Sequence, residues 1–197
     1  LTAQNTDRAV MLTLLCETDF VAKNEDFVNA AKSLAGIALA GGKSALDNSA
    51  EEVNALIQKM GENVKIGDVV VAESTNAAVY NHNGQYASVV VLKDKNDTLA
   101  RDIAMHATAM RPAYLVETDI AAEAQEKAKE IFGKEVEEQS AGKPEEMKVK
   151  ILEGKVNAYF KEQILLKQAF IKDPSKTIEQ LLKESNNEIV SYNLSQI

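Results

Sequence analysis

An unbroken apolar run, Ala9-Val10-Met11-Leu12-Thr13-Leu14-Leu15, stops at Cys16-Glu17-Thr18-Asp19-Phe20-Val21-Ala22-Lys23-Asn24. The run carries β-branched residues and is long enough for a buried strand but short for a helix. Asn24 can cap a following helix whose first turn carries Glu25 and Asp26, a placement that suits the positive end of the helix dipole. The nonamer 16–24 therefore reads as the corner between a strand and a helix. Asp19-Phe20 falls where loops on rigid scaffolds present functional groups.

Phe27, Ala31, Leu34, Ala35 and Ala38 then recur at helical spacing, with Gly41-Gly42 as a stop. Ser49 and Glu52 form a capping-box pattern before Val53, Leu56, Ile57 and Met60, and Gly61 is placed to end that second helix. From Val64 to Lys93 the texture is that of strands, with Asn83-Gly84 as a hairpin turn. Another Ala-rich helix opens at Asp97 and is ended by Pro112. Asn24, Phe27, Ala31 and Leu34 lie 72 positions before Asn96, Leu99, Ile103 and His106, so the two strand-and-helix stretches read as a pseudo-repeat.

Residues 118–160 are dense in Glu and Lys, and Ser140-Ala141-Gly142-Lys143-Pro144 breaks the run. Two helices in a hairpin are expected there, with Val149, Leu152, Val156 and Tyr159 facing Ile120, Ala124, Ala128 and Ile131 along a narrow coiled-coil seam. Asp173-Pro174 can open a last helix carrying Ile178, Leu181 and Leu182 inward. Val190, Tyr192 and Leu194 alternate as a final strand.

The expected architecture is α+β: two similar subdomains, each a small antiparallel sheet packed by helices, plus a helical-hairpin arm. The expected divisions are 1–66 and 67–117 for the two core subdomains, 118–165 for the arm, and 166–197 for a C-terminal segment returning to the core.

Little in the chain reads as an active site. Cys16 would need a base and an orienting carboxylate to act as a nucleophile, and the imidazoles are His82, in a turn, and His106. At the end of an apolar strand a lone Cys is more often a small buried hydrophobe. One Cys and two His cannot complete a four-ligand zinc site, and Gly41-Gly42 follows a helix where a phosphate-cradling loop precedes one, so neither metal nor cofactor is expected. Twenty-two basic against thirty acidic residues, a net charge of −8, give no electrostatic case for nucleic acid and favour a protein partner. A single Cys and the absence of any membrane-length apolar stretch point to the cytoplasm and away from membranes. His106 could be a core histidine on the apolar face of its helix. Asp19 and Phe20 could equally cap a turn and pack locally, or stand exposed.

The segment Cys16-Glu17-Thr18-Asp19-Phe20-Val21-Ala22-Lys23-Asn24 closely resembles the hallmark of the elongation factor Ts family, nucleotide exchange factors of the GTPase elongation factor Tu. Lys59-Met60-Gly61-Glu62-Asn63-Val64, Ile103-Ala104-Met105-His106 and Phe170-Ile171-Lys172-Asp173-Pro174-Ser175-Lys176-Thr177 resemble further segments of that family. The resemblance implies a non-enzymatic exchange factor that promotes GDP release by wedging Asp19-Phe20 near the magnesium and nucleotide site. Contacts to elongation factor Tu are implied for Thr18, Asp19, Phe20, Val21, Met60, Gly61, His106, Ile171 and Lys172. Leu15 and Ala169 depart from the family pattern, which commonly has Asn and Pro there. The family also begins with a small helical domain for which this sequence, opening on Leu1, has no counterpart, so it reads as the core and C-terminal part. A different reading is a non-exchanging module that uses the arm for assembly, and a homodimer through arm or core is compatible with either.

Overall fold

In a computed structural model describing residues 1–196, the apolar run becomes a strand buried on both faces. The first half of the chain forms β1 (Thr2–Gln4), β2 (Arg8–Leu15), α1 (Asp19–Ala22), α2 (Glu25–Gly41) and α3 (Ala50–Met60), then β3 (Lys65–Glu73), β4 (Ala77–His82), β5 (Tyr86–Leu92) and α4 (Asp97–Met110). The rest forms α5 (Ala122–Gln139), α6 (Glu145–Lys161), β6 (Ala169–Phe170), β7 (Asp173–Thr177), α7 (Ile178–Glu184) and β8 (Ile189–Gln196). Two compact units result: residues 1–110 with the returning segment from Ser185, and residues 111–184.

The first unit holds two three-stranded antiparallel sheets, ordered β1-β2-β3 and β4-β5-β8. Side chains alternate across a strand, and β2 uses both sets. Val10, Leu12 and Leu14 join Phe27, Ala31, Leu34, Ala38 and Leu56 in the core beneath α2 and α3. Ala9 and Met11 point the other way and pack on Ala77, Ala87, Val89 and Val91 of the second sheet. Small side chains let these sheets approach, and polar groups pin them: Thr13 Oγ1 lies 3.0 Å from Ser195 Oγ, and Gln4 Nε2 donates to the Ala77 carbonyl at 2.8 Å. On the far face, α4 packs on β4 and β5, where Ser88 Oγ donates to the Ala104 carbonyl at 2.7 Å.

The pseudo-repeat is real in its helix starts. Asn24 Oδ1 accepts from the Asp26 amide, and Asn96 Oδ1 accepts from the Leu99 amide at 3.0 Å, so each half caps its helix with an asparagine. Asn83 and Gly84 turn the β4–β5 hairpin with φ of 53° and 76°, the left-handed pair that matches strand twist. β3 runs through the point between residues 66 and 67 where the pattern divides the two subdomains, and it pairs with β2 on both sides of that point, from Lys65 opposite Leu15 to Glu73 opposite Arg8, with a register shift between Leu12 and Leu14.

In the second unit α5 and α6 form the expected hairpin across residues 140–144, tied by Lys148 to Glu137 at 2.8 Å and by Lys155 to Glu135 at 2.6 Å. Its seam differs from the expected one. Ile131 and Val149 are exposed, while Phe132, Val136 and Phe160 fill the seam with Ile120, Ala128 and Val156, and Tyr159 stacks edge-on against Phe132 and Phe160. A heptad stripe drifts around a straight helix, and the larger rings one position away took the inward places.

Two helix caps differ from those the sequence pattern predicts. Ser49 makes no side-chain cap bond to α3. The last helix opens at Ile178 rather than Pro174: Thr177 and Gln180 form a reciprocal capping box, with Gln180 N donating to Thr177 Oγ1 at 3.2 Å and Thr177 N to Gln180 Oε1 at 2.8 Å. Asp173 instead accepts from the Ser175 amide and hydroxyl within β7.

Leu34 is fully buried at the centre of the α2 core. Leu34→Ala should lower the unfolding free energy by about 2 to 5 kcal/mol in a urea titration, the range for deleting a buried leucine side chain.

Candidate functional site

At the end of β2 the chain turns through Cys16 and Glu17 into α1. Thr18 is the N-cap, extended at φ −127° and ψ 155°, and its Oγ1 accepts from the Val21 amide at 3.4 Å. Successive helical residues are about 100° apart around the axis, so this single turn can bury one neighbour and leave the one before it exposed. Val21 is buried in the α2 core, and Phe20 is 82% exposed. The local-packing reading of Phe20 is thereby excluded for the free chain. Val21, expected as a contact, is instead the anchor that fixes the corner.

Glu62 holds the corner from outside, a role that its place in the family-like 59–64 segment does not reveal. Gly61 caps α3 in the left-handed conformation, φ 71°, and donates to the Ile57 carbonyl at 2.9 Å. This reversal carries the Glu62 carboxylate to the corner, where Oε2 accepts from the amides of Glu17 at 3.1 Å and Thr18 at 3.0 Å, and Oε1 accepts from the Thr18 hydroxyl. Neighbouring Met60 is half-buried against the α2 core. The Gly-Glu-Asn segment and the Thr-Asp-Phe segment are therefore one site.

Asp19 and Lys23, one helical turn apart, pair at 2.8 Å, and hydrogen bonding to the ammonium pulls the Asp19 carboxyl below its ordinary range. Cys16 Sγ donates to the Thr18 carbonyl at 3.2 Å, while burial and then the Glu62 charge push its thiol pKa up. That is the reverse of nucleophile activation. A largely apolar cleft of about 340 Å³ runs beside the corner past Leu14, Leu15 and Cys16, and neither histidine lines it. Among the described residues no group of three His, Cys, Asp or Glu side chains is placed to hold a metal. No helix of the described residues is long and apolar enough to cross a membrane.

His106 requires correction. It is 0% exposed on α4, not at a surface. Its place 72 residues after Leu34, also 0% exposed, explains why: the repeat assigns it the innermost helix position. Ile171 and Lys172 form the turn between β6 and β7 in the second unit, and both are exposed. The second unit also repeats the words Glu-Thr-Asp at 117–119, where Asp119 accepts from the amides of Leu115 and Val116 and the following residue, Ile120, is buried. The tripeptide alone does not present a side chain.

These features define an α+β protein of two similar sheet-and-helix halves with a helical-hairpin arm, carrying one aromatic outward on a braced strand–helix corner. Residues 17–197 match the family described as Elongation factor TS. The chain is 37% identical over 196 residues to elongation factor Ts of Legionella pneumophila, covering 93% of this chain and 66% of that protein. It is 38% identical to elongation factor Ts of Ralstonia nicotianae, covering 93% and 65%, and 34% identical to that of Pseudoalteromonas atlantica, covering 93% and 66%. The chain belongs to the elongation factor Ts family and spans just under two thirds of the length of these relatives.

Two outcomes follow from the corner geometry. Phe20→Ala should leave stability within about 0.5 kcal/mol of wild type, as for an exposed site, whereas Val21→Ala should cost about 1 to 3 kcal/mol for the lost buried methyls; denaturant titrations separate them. In an NMR titration the Asp19 carboxyl should protonate below the ordinary aspartate range, so its pairing with Lys23 persists above the unfolded pKa and is lost as pH falls through the folded one. Lys23→Ala should move that titration upward.

Proposed function

We propose that this chain is a guanine nucleotide exchange factor acting on elongation factor Tu in translation elongation, in the cytoplasm. Family membership supports the partner, and the outward Phe20 on its braced corner is the observation that carries the mechanism.

Exchange requires no catalytic group. It requires binding energy for a conformation of the GTPase that holds nucleotide poorly. Magnesium demands near-octahedral coordination at about 2.0 to 2.1 Å, so a wedge that moves the phosphate loop or a magnesium ligand slightly weakens GDP strongly. Phe20 is the wedge, entering a gap in the nucleotide domain, and Asp19 supports it by hydrogen bonding at the same contact. Lys23, one helical turn on, pairs with that carboxylate at 2.8 Å and holds it in place at the contact.

Thr18 and the Met60-Gly61 turn border the wedge, and exposed Ile171 and Lys172 supply a second contact in the other unit. His106 takes no part at the contact surface of the free chain. Coupling is reciprocal: whatever factor weakens GDP, GDP weakens the exchange factor equally, and incoming nucleotide expels it.

A second reading rests on the arm, where Ile131, Met147 and Val149 are exposed apolar side chains. It makes the chain an assembly module without exchange activity.

Release of a fluorescent GDP analogue from elongation factor Tu distinguishes the two. The chain at micromolar concentration should accelerate release, and Phe20→Ala should raise the concentration needed by about 10- to 150-fold, the equivalent of losing one buried aromatic contact of about 1.5 to 3 kcal/mol. No acceleration by the wild-type chain, with Ile131→Ser/Val149→Ser abolishing self-association, would establish the assembly reading instead.

A further inference from the structure

We propose that Glu62 is a positioning residue for Phe20: it touches no partner, and it sets how tightly the factor docks by keeping the 17–20 corner in one conformation. The proposal deepens the exchange reading and rests on it for its kinetic consequence.

Three donors converge on this one carboxylate: the amides of Glu17 and Thr18 and the Thr18 hydroxyl. Without it, those two amides would lie at the end of β2 with neither a strand partner nor a helical one. β3 pairs with β2 only as far as Lys65 opposite Leu15, and α1 begins at Asp19. Glu62 thus continues the sheet's hydrogen bonding across the gap with a side chain. It also orients the Thr18 hydroxyl, whose oxygen caps α1 through the Val21 amide. The chain of dependence is short: Glu62 fixes Thr18, Thr18 fixes α1, and α1 turns Val21 in and Phe20 out.

Phe20 cannot hold itself in place, because so exposed a ring has little of its own packing. α1, at four residues, is far below the length at which a helix persists unaided. A corner that populates its docking conformation only in part weakens apparent affinity by that fraction and leaves the bound complex unchanged. Glu62 variants should therefore shift the concentration of factor giving half-maximal GDP release and leave the plateau rate alone. A smaller folded fraction would give the same shift, so a denaturant titration of each variant establishes that it is folded before the shift is assigned to the corner.

The test uses the whole chain in two arms. For the corner itself, Phe20→Trp installs a sole tryptophan in a chain that has none, and its fluorescence anisotropy, with amide hydrogen exchange at residues 17 and 18, reports local order. Glu62→Ala should lower the anisotropy and speed those amides about tenfold or more. Glu62→Asp should do the same, since its carboxylate is one methylene short. Glu62→Gln should restore most of the order, because its carbonyl can accept both amides while its NH₂ donates to the Thr18 hydroxyl. In the Phe20 background, half-saturation should rise several-fold for Ala and Asp, stay near wild type for Gln, and share one plateau.

Unchanged amides and anisotropy in Glu62→Ala would overturn the proposal. So would a loosened corner with unaltered half-saturation, or a Gln variant as defective as Ala. A wild-type chain without exchange activity would sink the exchange reading alone, and the order measurements would still decide whether Glu62 holds the corner.

Discussion

Burial of β2 on both faces is the constraint from which the rest of the first unit follows. An antiparallel strand usually keeps one face for water, but Val10, Leu12 and Leu14 require a helical cover while Ala9 and Met11 require a second sheet. The second sheet meets the same demand with β5, whose Ala87, Val89 and Val91 face β2 while α4 covers the other side. The outcome is a layered stack of helix, sheet, sheet and helix. Polar groups caught inside it are paired with one another: Thr108 Oγ1 donates to Ser88 Oγ at 2.9 Å, and Ser88 donates onward to the Ala104 carbonyl. Among the described residues, no buried side-chain nitrogen or oxygen lacks a partner, as a close-packed interior of this kind requires.

The stack matters to function because it ends β2 at a fixed point. A strand clamped from both sides cannot slide or tilt, so the turn that leaves it starts from a defined position and direction. Val21 then ties the turn to the α2 core and Glu62 ties it to the end of α3. Exposing a phenylalanine forgoes roughly 1.5 to 3 kcal/mol of burial. In the proposed docking that stabilisation becomes available as the ring enters the partner, with little ordering cost, since the corner is already ordered by contacts that do not involve the ring.

Fold and site were legible in the sequence to different degrees. Strong periodic signals read correctly: the buried strand, the Asn24 cap, the helix opening at Asp97, the Asn83-Gly84 hairpin and the hairpin arm. Misreadings arose where equivalent local signals competed. Asp173-Pro174 and Thr177-x-x-Gln180 are both good helix starts, and the second prevailed because its two hydrogen bonds are reciprocal. The seam of the arm shifted to the bulkier Phe132 and Phe160. The bracing role of Glu62 was not legible, although its segment resembled the family's, because its partners lie 44 and 45 residues away, and nothing in local spacing announces a carboxylate that will meet three donors across a fold. His106 is the instructive case. Its place on an apolar helix face, at the repeat position of Leu34, marked it as core, and the structure agrees with that reading over the one the family resemblance implied.

The two halves of the first unit share a plan, and the way they differ bears on the docking proposed for one of them. From the end of β5 at Leu92 to the capping Asn96, the second half uses only Lys93, Asp94 and Lys95, a direct link with no room for a turn of helix. The first half uses residues 16–23 between Leu15 and Asn24, and the additional length is what folds into α1. The link in the second half is braced by Asn187, whose side chain exchanges hydrogen bonds with the Asp94 backbone at 3.1 and 2.9 Å, much as Glu62 braces the first. A strand-to-helix link held by a polar side chain from another segment is thus common to both halves. The extra turn, with Val21 inward and Phe20 outward, is what sets the first link apart and gives the proposed docking its exposed aromatic.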